Sequence, residues 1–269
     1  MDEILRLEGR VQLHNAVMVI GLDGWGNAGR VSTFTVRYLA DKLGARKLGE
    51  IPSERFHNYQ IERPMVSIRR GVIESYTPPR NEIFYWKDER GRVDLLLLLG
   101  SEPHLNWPCY TKAILKLAEE MDVRRIYTIG GYLADIHYED ETPITASTNN
   151  KELIGELKEA RVELTNYRGP TSVYSEILWQ ARARGLDVIS LWCAVPIYVG
   201  GFYPKAAYHM LQKIKMMIGL DIDLGDIRKR AESFEAQFER EAMDQPELRR
   251  LIERMRRSRG LEKGPTYMV

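Results

Sequence analysis

Five consecutive leucines, Leu95 to Leu99, stand between Asp94 and Gly100. A strand with one face in water alternates apolar and polar residues, so a run without alternation must be covered on both faces. The run is far shorter than the roughly 20 residues a membrane-spanning helix needs. It is therefore expected to be the central strand of a sheet with helices on either side, and the flanking sequence supplies such helices.

Ala16 to Leu22 is a second Val- and Ile-rich run that ends in glycines, and Val31 to Leu43 then takes helical spacing through Phe34, Tyr38 and Leu39. Met65 to Ile68 with Val72 to Ser75, and Ile83 to Trp86 with Val93 to Leu99, form two expected antiparallel hairpins around Arg69 to Gly71 and Asp88 to Arg92. Pro108 marks a helix start, with Ile114, Leu117, Ala118 and Met121 on its buried stripe, before a strand at Ile126 to Ile129. Leu153 to Ala160, Val173 to Ala183, Val188 to Trp192 and Ala206 to Ile218 continue the alternation. The pattern predicts an α/β fold, a three-layer α/β/α sandwich with a mainly parallel or mixed central sheet.

Beyond Gly225 the apolar residues Ile227, Ala231, Phe234, Phe238 and Ala242 recur at helical spacing in a dense field of charge. Asp244, Pro246 and Glu247 then form the N-terminal signature of a further helix carrying Leu248, Leu251, Ile252 and Met255. The expected organisation is a core domain at 1–225, a C-terminal helical hairpin at 226–259 and a flexible tail at 260–269. The apolar stripe must cover either the parent domain or another subunit, so Phe234 and Phe238 are candidate partner contacts.

Lys plus Arg number 39 against 38 Asp plus Glu, a balance without the electrostatic attraction that general nucleic-acid binding requires. Cys109 and Cys193 lie far apart and in no Cys-x-x-Cys pattern. With no apolar leader at the N-terminus, they point to a reducing, cytoplasmic location, with no membrane and no nucleic acid as partner. The histidines at 14, 57, 104, 137 and 209 follow no metal-ligand spacing, so neither a metal nor a cofactor is expected.

Loops after the carboxyl ends of parallel strands are where open α/β sheets place their sites. The first such loop carries Asp23, Gly24, Trp25, Gly26 and Asn27, and Gly24, Gly26 and Gly29 match the Gly-x-Gly-x-x-Gly spacing of a dinucleotide fingerprint. Asp23 would set a carboxylate beside the phosphates and Trp25 would crowd them, so a tight turn that permits positive φ and close helix packing is the favoured reading. The second loop carries Ser101, Glu102, His104 and Trp107, where Glu102 is placed to act as a base beside His104, although no nucleophile elbow surrounds Ser101. The third carries Gly130 and Gly131. These residues are the candidate ligand contacts.

Taken in order, Gly21 to Gly29, Pro52 to Phe56, Leu99 to Trp107, Thr128 to Gly131, Arg168 to Ser172 and Val195 to Ala207 resemble the proteasome assembly chaperone 2 family over roughly residues 10–230. The resemblance implies a sandwich akin to purine nucleoside phosphorylases, homo-oligomers of three or more subunits, and proteasome subunits as partners. It also implies a C-terminal docking motif of a hydrophobic residue, a tyrosine and any last residue. Here Tyr267 stands third from the end, ahead of Met268 and Val269, one position from that motif. Some family labels point to ATP-grasp chemistry, but no phosphate-gripping lysine loop or paired acidic magnesium site is present.

The expected function is thus a non-catalytic oligomeric protein-binding factor resembling a proteasome assembly chaperone. The alternative is an enzyme or sensor that binds a small phosphorylated or nucleoside-like ligand at the carboxyl edge of the sheet.

Overall fold

The structure, a computed structural model, describes residues 4–244 and 246–257. Tyr267, Met268, Val269 and the tail expected at 260–269 lie outside the described residues. The strands are β1 (Arg6–Leu7), β2 (Ala16–Asp23), β3 (Arg46–Ile51), β4 (Met65–Arg69), β5 (Val72–Thr77), β6 (Asn81–Trp86), β7 (Leu95–Ser101), β8 (Val123–Ala134), β9 (Ile144–Thr148), β10 (Glu163–Leu164) and β11 (Asp187–Pro196). The helices are α1 (Val31–Leu43), α2 (Trp107–Glu120), α3 (Ile154–Glu159), α4 (Val173–Arg182), α5 (Pro204–Ile218), α6 (Gly225–Asp244) and α7 (Pro246–Arg257).

Nine strands form one sheet in the order β1-β3-β6-β7-β2-β8-β11-β9-β10. Its heart, β7-β2-β8-β11, is parallel, while β3, β6 and β9 join it antiparallel. The leucine run pairs in register with the first apolar strand, Val17 opposite Leu95 through Gly21 opposite Leu99. The pleat divides the run between two cores. Leu95, Leu97 and Leu99 pack with Val17 and Val19 beneath α1, α5 and α6. Leu96 and Leu98 pack with Met18 and Ile20 beneath α2 and α4. This is the three-layer sandwich that unbroken hydrophobicity requires.

Helix termini follow their local sequence. Gly44 and Gly219 close α1 and α5 in the left-handed conformation, and Pro204 opens α5. Beyond residue 225, helix α6 packs back on the core. Ile227, Ala231 and Phe238 of α6 are buried, and Ile252 of α7 joins the same cluster. Phe238 sits against Tyr138, Tyr198 and Phe234, and Phe234 lies edge-on to Tyr203. Of the two covers open to this stripe, the structure shows the parent domain. Of these candidate partner contacts, Phe238 is buried in the chain's own core and Phe234 lies half-buried against it.

The second sheet is the hairpin β4–β5, apart from the main one. Every residue in both its strands is exposed.

Candidate functional site

At the carboxyl rim, the loop after β2 crosses the ends of β8 and β11 and is bonded down along its length. Gly131 N–H donates to the Gly26 carbonyl at 2.8 Å, Glu102 N–H to that of Asp23 at 2.8 Å, and Tyr203 N–H to that of Gly29 at 3.0 Å. Such close approach explains the glycines. A Cβ on Gly131 would lie 2.3 Å from the Ala28 carbonyl oxygen, and one on Gly130 would lie 2.5 Å from the Trp192 ring. Gly24 and Gly29 hold φ of 124° and 59°, which other residues rarely adopt. The glycine spacing is therefore a packing device, with Gly24 against Glu102, Gly26 against Trp192 and Gly29 against Val195 and Tyr203.

The start of α1, where a pyrophosphate would bind, is filled by the chain itself. Asn27 Oδ1 accepts from Thr33 N–H at 3.1 Å, while Asn27 Nδ2 donates to Asp23 Oδ1 at 2.8 Å. In the same first turn, Ser32 Oγ accepts from Leu22 N–H and shares a hydrogen bond with the buried Tyr174 hydroxyl. These contacts use groups that an anion would need.

Glu102, a candidate ligand contact, braces the rim. Its Oε1 accepts from Val173 N–H at 2.8 Å in the first turn of α4, and its carboxylate also accepts from the Trp25 backbone. Burial outweighs these bonds and raises its pKa above the ordinary glutamate value. Ser101 Oγ donates to Glu62 Oε1 at 2.7 Å, and His104 Nδ1 accepts from Asn58 N–H at 3.1 Å. Ser101 thus faces a carboxylate rather than an imidazole, and the serine–histidine pairing of a nucleophilic site is not formed. His57 contacts the Ser101 carbonyl through Nε2 at 3.3 Å, and burial lowers its pKa. Trp107 Nε1 donates to the Pro103 carbonyl.

Two adjoining clefts share Asp23, Gly24 and Trp25. The first, about 490 Å³, is lined by Glu62, Ser101, Glu102, His104 and Trp107, with three carboxylates and neither Lys nor Arg on its walls. Such a lining repels phosphate. The second, about 610 Å³, adds Asn27, Arg30, Tyr132, Leu133 and Trp192. Gly130 and Gly131, expected in a loop, fall inside β8. Gly131 lines the second cleft, whereas Gly26 and Gly130 lie beneath Trp192 and line neither. The structure thus gathers most of the expected residues at one rim. It adds Glu62, His57, Tyr174 and Trp192, none marked by a local motif. Only the pairing of Gly130 in β8 with Trp192 in β11, one small residue opposite one large, held a signal for them.

Three apolar side chains stay open on the rim, beside the exposed Asp23 and Arg30. Trp25 is 48% exposed, Leu105 50% and Leu133 38%. Trp25 meets Trp192 edge-on at 6.1 Å, and Trp192 meets Tyr174 at 5.9 Å.

Fold and rim together define a class, a three-layer α/β/α sandwich with a mixed sheet whose glycine-rich carboxyl edge is closed by its own side chains. The chain belongs to the PAC2 family, whose family model matches residues 21–242. This meets the expected resemblance, and the match runs through most of α6, beyond the limit read from the sequence. The chain is similar to a PAC2 family protein from Streptomyces avermitilis, at 26% identity over 88% of this chain and 99% of that one, with a TM-score of 0.79. Its fold is also that of a Mycobacterium tuberculosis proteasome-assembly chaperone homologue, at 24% identity over 88% and 99% of the two chains and a TM-score of 0.80. A Pyrococcus furiosus archaeal proteasome activator shares the fold at 24% identity, over 88% and 97%, with a TM-score of 0.70. An uncharacterized Methanocaldococcus jannaschii protein is 26% identical over 231 residues, 85% of this chain and 83% of that one.

Proposed function

We propose that this chain is a non-catalytic, homo-oligomeric protein-binding factor that engages proteasome subunits in the cytoplasm. The observation that carries the reading is the state of the rim. Asn27, Ser101, Glu102 and His104 are each bonded within the chain, while Trp25, Leu105 and Leu133 stand exposed around them. Exposed aromatic and aliphatic side chains over a rigid base suit protein recognition, where buried anchors supply most of the binding energy. Family membership and the named functions of the structural neighbours support proteasome subunits as the partner class.

Co-purification of the tagged chain from its native host tests this. Recovery of proteasome subunits, reduced at least tenfold by Trp25→Glu with Leu133→Glu, is the expected result. Recovery of the chain without them overturns the reading.

A second reading has one observation in its favour, the first cleft, whose Trp25 and Trp107 walls offer surfaces for a nucleoside-like ring. A thermal-shift panel of nucleosides, nucleotides and sugar phosphates separates the two, because a ligand that binds only the folded chain must raise its Tm. A flat panel removes the second reading.

A further inference from the structure

The first cleft of the rim, about 490 Å³, is walled by Trp25 and Trp107 and carries the carboxylates of Asp23, Glu62 and Glu102. No lysine or arginine lines it, and Arg30 stands on the wall of the adjoining cleft. Elsewhere the chain matches partly buried carboxylates with cations, as Glu82 with Arg37 and Lys47, Glu156 with Arg125 and Glu235 with Lys205. Among the described residues, the three in the cleft are met only by neutral donors. Asp23 Oδ1 accepts from Gly24 N–H and Asn27 Nδ2, Glu62 Oε1 from Ser101 Oγ, and Glu102 from the Val173 and Trp25 amides. His104 supplies no charge, because its Nδ1 accepts from Asn58 N–H and so carries no proton. Burial raises the pKa of Glu102, whereas the Arg92 hydrogen bond holds Asp88 down to about 2.

The aromatic walls are an independent feature, fixed by contacts of their own. Trp107 Nε1 donates to the Pro103 carbonyl, and the Trp25 ring rests edge-on to Trp192 at 6.1 Å. Tryptophan attracts cations to its ring face better than any other side chain. Indoles and unmatched carboxylates around one cavity therefore select a positive group with a planar or apolar body. Guanidinium fits both halves of this lining, since its plane stacks on an indole and its paired N–H groups match a carboxylate, whereas a lysine ammonium offers only a point charge.

We propose that the first cleft is a socket for the guanidinium of an arginine presented by a partner protein, its plane on the tryptophan walls and its N–H groups on the Glu62 carboxylate. Glu102 is engaged by two amides, while Glu62 and Asp23 each keep an oxygen that accepts no hydrogen bond from a described residue. Of those two, Glu62 is the more buried. A protein carries the arginine because Trp25 on the wall and Leu105 beside His104 in the chain are half exposed, apolar surface that a flanking chain would cover and a free amine would not. The proposal rests on the protein-binding reading above and names the side chain that the rim would capture.

Isothermal titration calorimetry of the full chain tests it, with an acetylated and amidated Gly-Arg-Gly peptide, the same peptide carrying uncharged, isosteric citrulline, and n-butylguanidinium, the cationic head without a flanking chain. The arginine peptide is expected to bind about tenfold more tightly than the citrulline peptide, and to lose about tenfold in Glu62→Gln and in Trp25→Leu. Both variants are checked for folding by far-UV circular dichroism, and the wild-type comparison of peptides needs neither. n-Butylguanidinium is expected to bind more weakly than the arginine peptide. Equal binding of the arginine and citrulline peptides, no heat from either at millimolar concentration, or unchanged affinity in Glu62→Gln overturns the proposal. Binding of n-butylguanidinium as tight as that of the arginine peptide also overturns it, because the cleft would then serve a free cation. No proteasome subunit enters the titration, so a failure here with proteasome subunits still co-purifying removes the socket alone, and binding here without co-purification removes the proteasome reading alone.

Discussion

At the rim of the sheet, Trp25 rests on Trp192, Trp192 on Tyr174, and beneath them glycine backbones bond strand to loop. Along β4 and β5 the side chains are equally apolar, yet every residue faces solvent and the hairpin forms no part of the main sheet. The rim is fixed by groups that the chain itself provides. The hairpin keeps both of its faces in solvent. Exposure alone does not mark a site in either place, since what distinguishes the two is whether the chain's own side chains pack beneath the exposed ones.

Stability measurements can break this comparison or sharpen it. The largest effect is expected on the α6 stripe, which should behave like the rim. Phe238→Ala removes a ring packed on Tyr138 and Tyr198 and should cost about 3 to 4 kcal/mol in chemical denaturation. A loss below about 1 kcal/mol would mean that α6 is only loosely seated. Gly131→Ala comes next, at about 3 kcal/mol, because its Cβ would meet the Ala28 carbonyl and that backbone cannot yield without breaking the bond to Gly26. A neutral result would remove the packing explanation of the glycines.

Glu102→Ala should cost about 2 kcal/mol by leaving the Val173 and Trp25 amides unpaired. Its pH dependence sharpens the point. The folded-state pKa of Glu102 is raised by burial, so the folded state holds its proton more tightly than the unfolded state. That contribution is present at low pH and lost as pH rises through the folded-state value. Glu102→Gln, which can still accept from Val173, should therefore gain Tm relative to wild type as pH rises from about 4 to 7. A constant difference would mean that the carboxylate is not desolvated. The smallest effect belongs to the hairpin, where Ile68→Thr at an exposed strand position should change stability by no more than about 0.5 kcal/mol.

Much of the fold was legible because unbroken hydrophobicity and helical spacing are local signals. The leucine run declared a central strand, Val17 to Ile20 its neighbour, and the turn at Arg70–Gly71 a hairpin. What escaped depended on pairing. Ile144–Thr148 adds a strand beside β11, yet its length and alternation resemble a loop until that edge is known. Gly130 and Gly131 looked like loop residues because only the opposing Trp192 and Ala28 show why a strand there must lack side chains. The bracing role of Glu102 was hidden because its partner Val173 is far away in the chain. The stripe on α6 was plain in sequence, but whether it met the parent domain or another chain was not, since periodicity reports that a face is covered and not what covers it.

Amide hydrogen exchange tests the contrast between rim and hairpin most directly. The account predicts that the amides of Leu22, Thr33, Gly131 and Val173, each bonded within the rim, are strongly protected, while those on the outer edges of β4 and β5 exchange rapidly. Rim amides that exchange as fast as those of the hairpin would contradict it.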